Sequence, residues 1–240
     1  MKIVVISRKS DCSRRKKMSS MLELSPYEWS FFDACEPNTL PIWFEEVYDE
    51  NKCRKYRSYP LVPGEKGCFA SHVKVWEMAM SMDESLVVLE DDCTLTEHFF
   101  SKLDEIKNEN YEYIKLERRS NGVSIDSNLM MADRNRSGTV GYYINPIGAF
   151  KLLSNLNTIY TPIDHYIGMC WKHSVAPISL KSPIITHEGD FGTSIQNSRK
   201  ESETEASNNK ILRFRRKVIR YIDNYKYKKF TDKVMKKYNV

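Results

Sequence analysis

Ser85-Leu86-Val87-Val88-Leu89-Glu90-Asp91-Asp92 decides how this chain is read. A short aliphatic run bounded by polar residues fits a strand buried on both faces, as in a parallel sheet. The run breaks off in three consecutive carboxylates. In open α/β sheets, ligands bind beyond the carboxyl ends of the strands, which is where these acids fall. Adjacent carboxylates repel one another unless something offsets their charge. A divalent cation that prefers oxygen ligands would do so. On extended backbone Glu90 and Asp92 point to one side and Asp91 to the other. A cation held there by few protein ligands keeps positions open for a diphosphate and can neutralise a departing phosphate. A solvated acidic turn capping the next helix explains the same triplet without any ligand.

Working outward, Lys2–Ser7 (KIVVIS) repeats the buried-strand pattern, and Tyr27–Asp33 alternates weakly as a second strand. Between them, Arg14-Arg15-Lys16-Lys17 leads into Met18, Met21 and Leu22, a helical segment. Residues 37–63 read as loop with one helix at Trp43–Tyr48. Over Gly64–Met82, the residues Phe69, Val73, Trp76 and Met80 recur at helical spacing, with His72 on the same face. Beyond the acidic triplet, a helix from Thr96 to Lys107 with Thr96 as N-cap is expected. Then come a strand at Tyr111–Leu116, a polar hairpin or loop over Gly122–Ser137 and a strand at Thr139–Ile144. A proline-initiated helix at Pro146–Leu156 follows. Asp164–Trp171 reads as a helix, and Val175–Leu180 and Ile184–Thr186 as short strands. Alternating strands and helices predict an α/β fold, parallel at least in its first half.

The 240 residues, 41% of them hydrophobic, suffice for one sizeable core. The net charge of +5 hides an asymmetry: Asn208–Val240 holds 12 Lys and Arg against two Asp, or +10, which leaves −5 for the rest. No apolar run approaches the roughly 18–20 residues that span a bilayer. The opening MKIVVISRKSD does not read as a secretory signal, because charge follows Ile6 at once. Cys12, Cys35, Cys53, Cys68, Cys93 and Cys170 form no CxxC pair, so they read as mostly buried thiols of a cytoplasmic protein. Three segments are expected: a domain over 1–199, a polar linker over 200–209 and a basic tail over 210–240. In the tail, Ile211, Phe214, Val218, Ile222 and Tyr225 make an apolar stripe in a cationic helix, the pattern of a helix lying on an anionic membrane.

Gly64-Glu65-Lys66-Gly67-Cys68-Phe69-Ala70-Ser71-His72, then Trp76, then Leu89-Glu90-Asp91-Asp92, resembles glycosyltransferase family 25, whose members carry G-E-x-G-C-x-x-S-H, a tryptophan and L-E-D-D. Gly138-Thr139-Val140-Gly141-Tyr142-Tyr143-Ile144, with Gly148-Ala149 and Lys151-Leu152-Leu153, is similar to the family's G-T-x-x-Y-x-I…G-A-x-K-L-L. Pro162-Ile163-Asp164 resembles its P-x-D element, Ser194-Ile195 with Arg199 its S-x-I…R ending, and Arg14-Arg15 also fits. The resemblance spans residues 2–199. Lys66 departs from a usual apolar residue and Gly141 from a usual alanine, Ile185–Asp190 has an unexpected form, and Gly122–Ser137 matches nothing.

The resemblance implies a GT-A-like nucleotide-sugar-binding fold with a mixed, mainly parallel central sheet, to which the basic amphipathic helical tail is added. It implies sugar transfer from a nucleotide diphosphate donor, commonly UDP-galactose, to a lipooligosaccharide acceptor with a β-linked product. Bacterial relatives work on the cytoplasmic face of the inner membrane, so peripheral attachment there is expected. With the resemblance, Asp92 and Asp91 are assigned to the metal, Mn²⁺ or Mg²⁺, with His187 as a third ligand. Ser7, Arg15, Glu90, Asp91 and Arg199 are assigned to the donor. Asp164 is the candidate general base, since one-step inversion needs a carboxylate to take the acceptor's proton. A helix cap is the competing reading of Asp164, a structural histidine that of His187, and a solvated charge that of Arg199. Ser71 and His72 are no nucleophile pair, because adjacent helical residues point about 100° apart.

Two other classes compete. A metal-dependent phosphoester hydrolase would use the same acids but would want more His and Asp ligands. A binding protein would use the basic tail on a membrane or on nucleic acid, with Tyr221, Tyr225 and Tyr227 as stacking residues. The regular apolar stripe favours the membrane, and no nucleic acid is expected.

Overall fold

A computed structural model of the chain describes residues 1–107, 111–117, 121–133, 138–187 and 210–238. The chain opens with β1 (Lys2–Ser7), α1 (Cys12–Leu22) and β2 (Trp29–Asp33), followed by α2 (Ile42–Val47) and α3 (Glu50–Arg57). The longer α4 (Pro63–Met82) leads into β3 (Leu86–Glu90), the acidic turn and β4 (Cys93–Leu95). Next come α5 (Phe99–Ile106), β5 (Tyr113–Lys115), β6 (Gly122–Ser124), β7 (Leu129–Ala132) and β8 (Gly141–Ile144). The series ends with α6 (Pro146–Ser154), α7 (Ile163–Gly168), α8 (Cys170–His173), β9 (Ile178–Leu180), β10 (Ile185–His187) and a final helix, α9 (Lys210–Lys237).

Eight strands form one sheet in the order β2-β1-β3-β8-β5-β9-β7-β6. Only β8 and β7 run against the other six, so the sheet is mixed but mostly unidirectional. The aliphatic runs of β1 and β3 lie side by side, with Val4 opposite Val88 and Ile6 opposite Glu90. Both faces of these strands are covered, which is why neither alternates with polar residues. Val4 and Val88 face a core completed by Phe69 and Trp76 of α4. Ile3, Val5, Val87 and Leu89 face a second core, completed by Met18 and Leu22 of α1 and Leu103 of α5. The outcome is three layers, helix on sheet on helix, with the carboxyl ends of β1 and β3 adjacent.

Three local readings change and a fourth holds. Cys93–Leu95 pairs antiparallel with β10, so the helix expected from Thr96 starts only at Phe99 and Thr96 does not cap it. Residues 50–57 form a helix that the sequence reading left as loop; its only buried residue is Cys53, and Asp49 caps it by accepting from the Lys52 amide at 2.8 Å. Asp164–Trp171 divides into two short helices at Met169. The hairpin reading of Gly122–Ser137 corresponds to β6 paired with β7, and residues 134–137 lie outside the described residues.

The tail forms α9, and it lies against the body. Tyr227 and Thr231 are buried, the Tyr227 hydroxyl donates to the Ala132 carbonyl at 3.0 Å, and Arg216 donates to the Arg57 carbonyl at 2.9 Å. Leu212, Arg216, Ile219 and Asp223 continue that half-buried face. Phe214, Val218, Tyr221, Ile222 and Tyr225 are exposed on the other face. No helix among the described residues is long and apolar enough to cross a membrane.

Candidate functional site

The site is built where β1, β3 and the first half of α4 meet. Glu65, in the first turn of α4, is buried and accepts from the Val62 amide at 3.0 Å and from both terminal nitrogens of Arg57, at 2.7 and 3.0 Å. It caps the helix and fixes its starting point. One turn later Gly67 lets the helix reach the loop after β2: a Cβ there would lie 2.5 Å from the Cys35 carbonyl oxygen. Ser71 tightens the same junction, accepting from the Cys35 amide at 2.8 Å and donating to the Gly67 carbonyl at 2.7 Å. His72 is fully buried between the Tyr142 hydroxyl, 2.7 Å from Nδ1, and Glu90 Oε1, 3.1 Å from Nε2.

The three acids have different surroundings. Glu90 Oε1 also accepts from the Thr139 hydroxyl. Burial by itself would raise the Glu90 pKa, but the His72 and Thr139 hydrogen bonds hold it below the usual value. Asp91 is held on both oxygens, by the Ser7 hydroxyl at 2.6 Å and by Arg14 at 3.0 Å. Asp92 is nearly buried; its Oδ2 lies 3.3 Å from His187 Nε2, and its Oδ1 is buried with no hydrogen-bond partner among the described residues. Burial and the neighbouring Glu90 push the Asp92 pKa up to about 6. A buried, orphaned carboxylate oxygen beside two further acids is a donor set that suits an oxygen-loving cation. Cys68, His72 and Glu90 form a second group with ligand-capable atoms within 4.8 Å of one another.

A cavity of about 420 Å³ opens over these groups, lined among others by Ser7, Arg14, Cys35, His72, Glu90 and Asp92. Its floor is the carboxyl ends of β1 and β3, and one wall is the start of α4.

Residues 1–167 match the sequence profile of Glycosyltransferase family 25 (LPS biosynthesis protein). The chain belongs to glycosyltransferase family 25. Similar curated proteins include Procollagen galactosyltransferase 2 of Homo sapiens, 32% identical over 137 residues covering 50% of this chain and 22% of that protein. Another is a putative glycosyltransferase of Haemophilus influenzae, 28% identical over 160 residues, 62% of this chain and 55% of that protein. The chain therefore spans only part of the length of these relatives. Among solved structures, a glycosyltransferase involved in glycosylation of the major capsid of PBCV-1 aligns with 85% of this chain and 98% of its own, at 9% identity and a TM-score of 0.40.

The family 25 motif segments meet at the cavity or just behind it, with Thr139 and Tyr142 bonded to Glu90 and His72 rather than lining it. The G-E-x-G-C-x-x-S-H segment supplies α4, the L-E-D-D segment supplies the acids, and the G-T-x-x-Y segment supplies Thr139 and Tyr142. Gly141, where the family has alanine, has a local cause: a Cβ would lie 2.4 Å from Ile185 Cδ1 and 2.9 Å from Leu89 Cδ2. Ile185 is two residues before His187 in β10, so the glycine leaves room for a side chain of the strand that carries His187.

The assigned residues fall in several places. Ser7, Glu90, Asp91 and Asp92 line the cavity, and His187 reaches it through Asp92. Arg15 turns away: it donates to the Ser7 carbonyl at 2.9 Å, pairs with Asp33 and stacks over Phe31. Its neighbour Arg14 is the arginine that lines the cavity. Two adjacent arginines on a helix cannot be told apart before the helix is oriented. Asp164 stands at the start of α7, accepting from the Gly138 amide at 3.2 Å and from the His165 amide at 2.8 Å. Gly138 adjoins Thr139, whose hydroxyl donates to Glu90, so Asp164 stands near the acids although it does not itself line the cavity. Arg199, with Ser194, Ile195, Glu188 and Asp190, lies outside the described residues.

Proposed function

We propose that the chain transfers a hexose, galactose from UDP-galactose, to a core sugar of a lipooligosaccharide or lipopolysaccharide, with inversion to a β-linkage. The observation that carries this reading is Asp92: a buried carboxylate oxygen without a partner among the described residues, at a strand end over a cavity, in a chain of this glycosyltransferase family. The donor follows the galactosyltransferase relatives, and the acceptor follows the family's description as LPS biosynthesis proteins.

Asp92 and His187, with Asp91, are the residues that would hold Mn²⁺ or Mg²⁺. Such an ion supplies charge neutralisation for the departing nucleoside diphosphate. Ser7 and Arg14 hold Asp91 in one orientation, and Arg14 adds a positive charge on the diphosphate side of the cavity. Asp164 acts as general base: it accepts the proton of the acceptor hydroxyl as that oxygen bonds to the anomeric carbon. The anomeric carbon–phosphate oxygen bond breaks, and its electron pair leaves with UDP. The amides of Gly138 and His165 keep Asp164 oriented; the N-cap of α7 is Pro162 and Asp164 stands in the first turn, so the cap reading of Asp164 falls away.

Calorimetric titration of UDP with Mn²⁺, and again with EDTA, tests the reading. Binding should require the metal and should be lost in Asp92→Asn. Asp164→Asn should bind UDP normally while transfer falls at least about 100-fold. Metal-independent binding in a folded sample overturns the role of the acids, and full transfer by Asp164→Asn removes it as the base.

We further propose that α9 rests on an anionic membrane surface, with the body on its cytoplasmic face. The exposed aromatic and aliphatic stripe flanked by Arg213, Arg215, Lys217 and Arg220 supports this. Its sequence asymmetry is the same one that sets the tail at +10 against a body at −5.

A further inference from the structure

We propose that Trp76, Tyr142 and His72 form a one-way hydrogen-bond relay that fixes Glu90 by one oxygen and leaves the other for a substrate hydroxyl, so that Cys68, His72 and Glu90 are not a metal site. The substrate clause rests on the glycosyltransferase reading; the relay does not.

The direction of the relay follows from proton counting. Trp76 is fully buried, and its indole N–H can only donate. It does so to the Tyr142 oxygen at 3.0 Å. Tyr142 is also fully buried, and its remaining partner among the described residues is His72 Nδ1, at 2.7 Å. The phenol has one proton to give. If His72 Nδ1 carried a proton too, the Tyr142 O–H would be buried without an acceptor, which is unfavourable. The phenol therefore donates to Nδ1, and the ring proton of His72 sits on Nε2, 3.1 Å from Glu90 Oε1. Thr139 donates to the same oxygen. Glu90 Oε2 has no partner among the described residues, and Glu90 lines the cavity. A carboxylate pinned on one oxygen by neutral donors keeps its charge and offers its second oxygen to an O–H. Sugar and ribose hydroxyls are the chemical class that fits.

The same counting opposes a cation on Cys68, His72 and Glu90. A metal would need the lone pair of His72 Nε2, which puts the proton on Nδ1 and leaves the buried Tyr142 O–H without an acceptor. The relay and the metal triad demand opposite tautomers, and this makes them separable.

Nitrogen-15 NMR of the full chain with labelled histidine reads the tautomer directly. There are five histidines, and the His72→Gln spectrum assigns the one that matters. The expected result is a protonated Nε2 and an unprotonated Nδ1, unchanged when Zn²⁺ is added. A proton on Nδ1, protons on both nitrogens, or loss of the Nε2 proton with Zn²⁺ overturns the relay. Kinetics test the hydroxyl clause. His72→Gln keeps an N–H near the position of Nε2, and should retain kcat/KM within about tenfold of the parent. His72→Leu removes the donor, and should lose about 10- to 100-fold. Equal losses in two folded variants overturn Glu90 positioning. If no UDP-sugar turns over even in the parent, the hydroxyl clause falls with the glycosyltransferase reading while the NMR result still decides the relay.

Discussion

α4 and α9 are the longest helices among the described residues, at 20 and 28 residues, and they are used in opposite ways. α4 runs through the core, and its buried positions include three polar residues, Glu65, Ser71 and His72. Each has partners that account for its burial. α9 lies on the surface, and there the unusual residues are the apolar ones left outside, with Tyr221 75% and Phe214 70% exposed. A polar group inside must be satisfied, so its partners report its role. An apolar group outside needs no partner to be tolerated singly, but a contiguous stripe asks what covers it. The catalytic reading thus comes from buried polarity, and the membrane reading from exposed apolarity.

The largest expected effect breaks the buried side of this contrast. Glu65→Ala removes the acceptor for the Val62 amide and the countercharge of Arg57, leaving a largely buried guanidinium with only Tyr59 beside it among the described residues. It should cost about 3–5 kcal/mol, read from urea denaturation. A loss below about 1 kcal/mol would mean that water replaces the pair and that α4 needs no such cap. Arg57 also offers its carbonyl to Arg216, so the same variant should weaken the docking of α9.

Next, the docked face of α9 should behave like core. Tyr227→Ala should cost about 3 kcal/mol, against less than about 0.5 kcal/mol for Tyr221→Ala, because only the first is buried. Equal costs would show that the two faces are not distinct.

A smaller effect concerns α8, on which α9 sits. Burial pushes the His173 pKa down to about 4, with Lys172 and Lys151 adding to the shift, and its Nδ1 accepts from the Val175 amide at 3.2 Å. Its folded value lies below the unfolded value of about 6.5, so the unfolded chain takes up the proton first as pH falls. Stability is therefore fully present above pH 6.5 and is lost progressively toward pH 4. Between about pH 7.5 and pH 5 the loss from this group should be about 2 kcal/mol. His173→Gln should remove that part of the pH dependence; an unchanged pH profile would assign the acid sensitivity to other groups.

Much of this was legible in the sequence. β1 and β3 announce themselves as short aliphatic runs, and the acids at the end of β3 mark the ligand end of the sheet. α4 shows its apolar spacing. What was not legible depends on orientation or on distant partners. Arg14 and Arg15 exchange roles because one-residue rotation on a helix decides which meets Asp91 and which meets Asp33. α3 was missed because its sequence, ENKCRKYR, is charged on all faces but one. The pairing of β4 with β10, which brings His187 beside Asp92, joins segments about 90 residues apart with no local signal. In α9 the stripe from Phe214 to Tyr225 was visible, but the seating face through Ile219, Tyr227 and Thr231 was not, because arginine and aspartate interrupt it.

The outward stripe of α9 gives the smallest effect on folding and the sharpest test of its use. Phe214→Ser together with Tyr221→Ser should change unfolding free energy by less than about 0.5 kcal/mol, since both side chains are already in water. If these rings enter the headgroup region of an anionic bilayer, each contributes about 1.5 kcal/mol or more on burial. Removing both should then weaken binding to phosphatidylglycerol vesicles by at least about 100-fold, at 1.4 kcal/mol per factor of ten. Raising the salt concentration should weaken the parent's binding as well, because Arg213, Arg215, Lys217 and Arg220 are screened. Equal binding to neutral and anionic vesicles would leave the charge of the tail without a role there. A parent chain that binds neither would return the stripe to a surface awaiting a protein partner. Stability that drops with the double substitution would instead place the stripe against the body, and the contrast with α4 would dissolve.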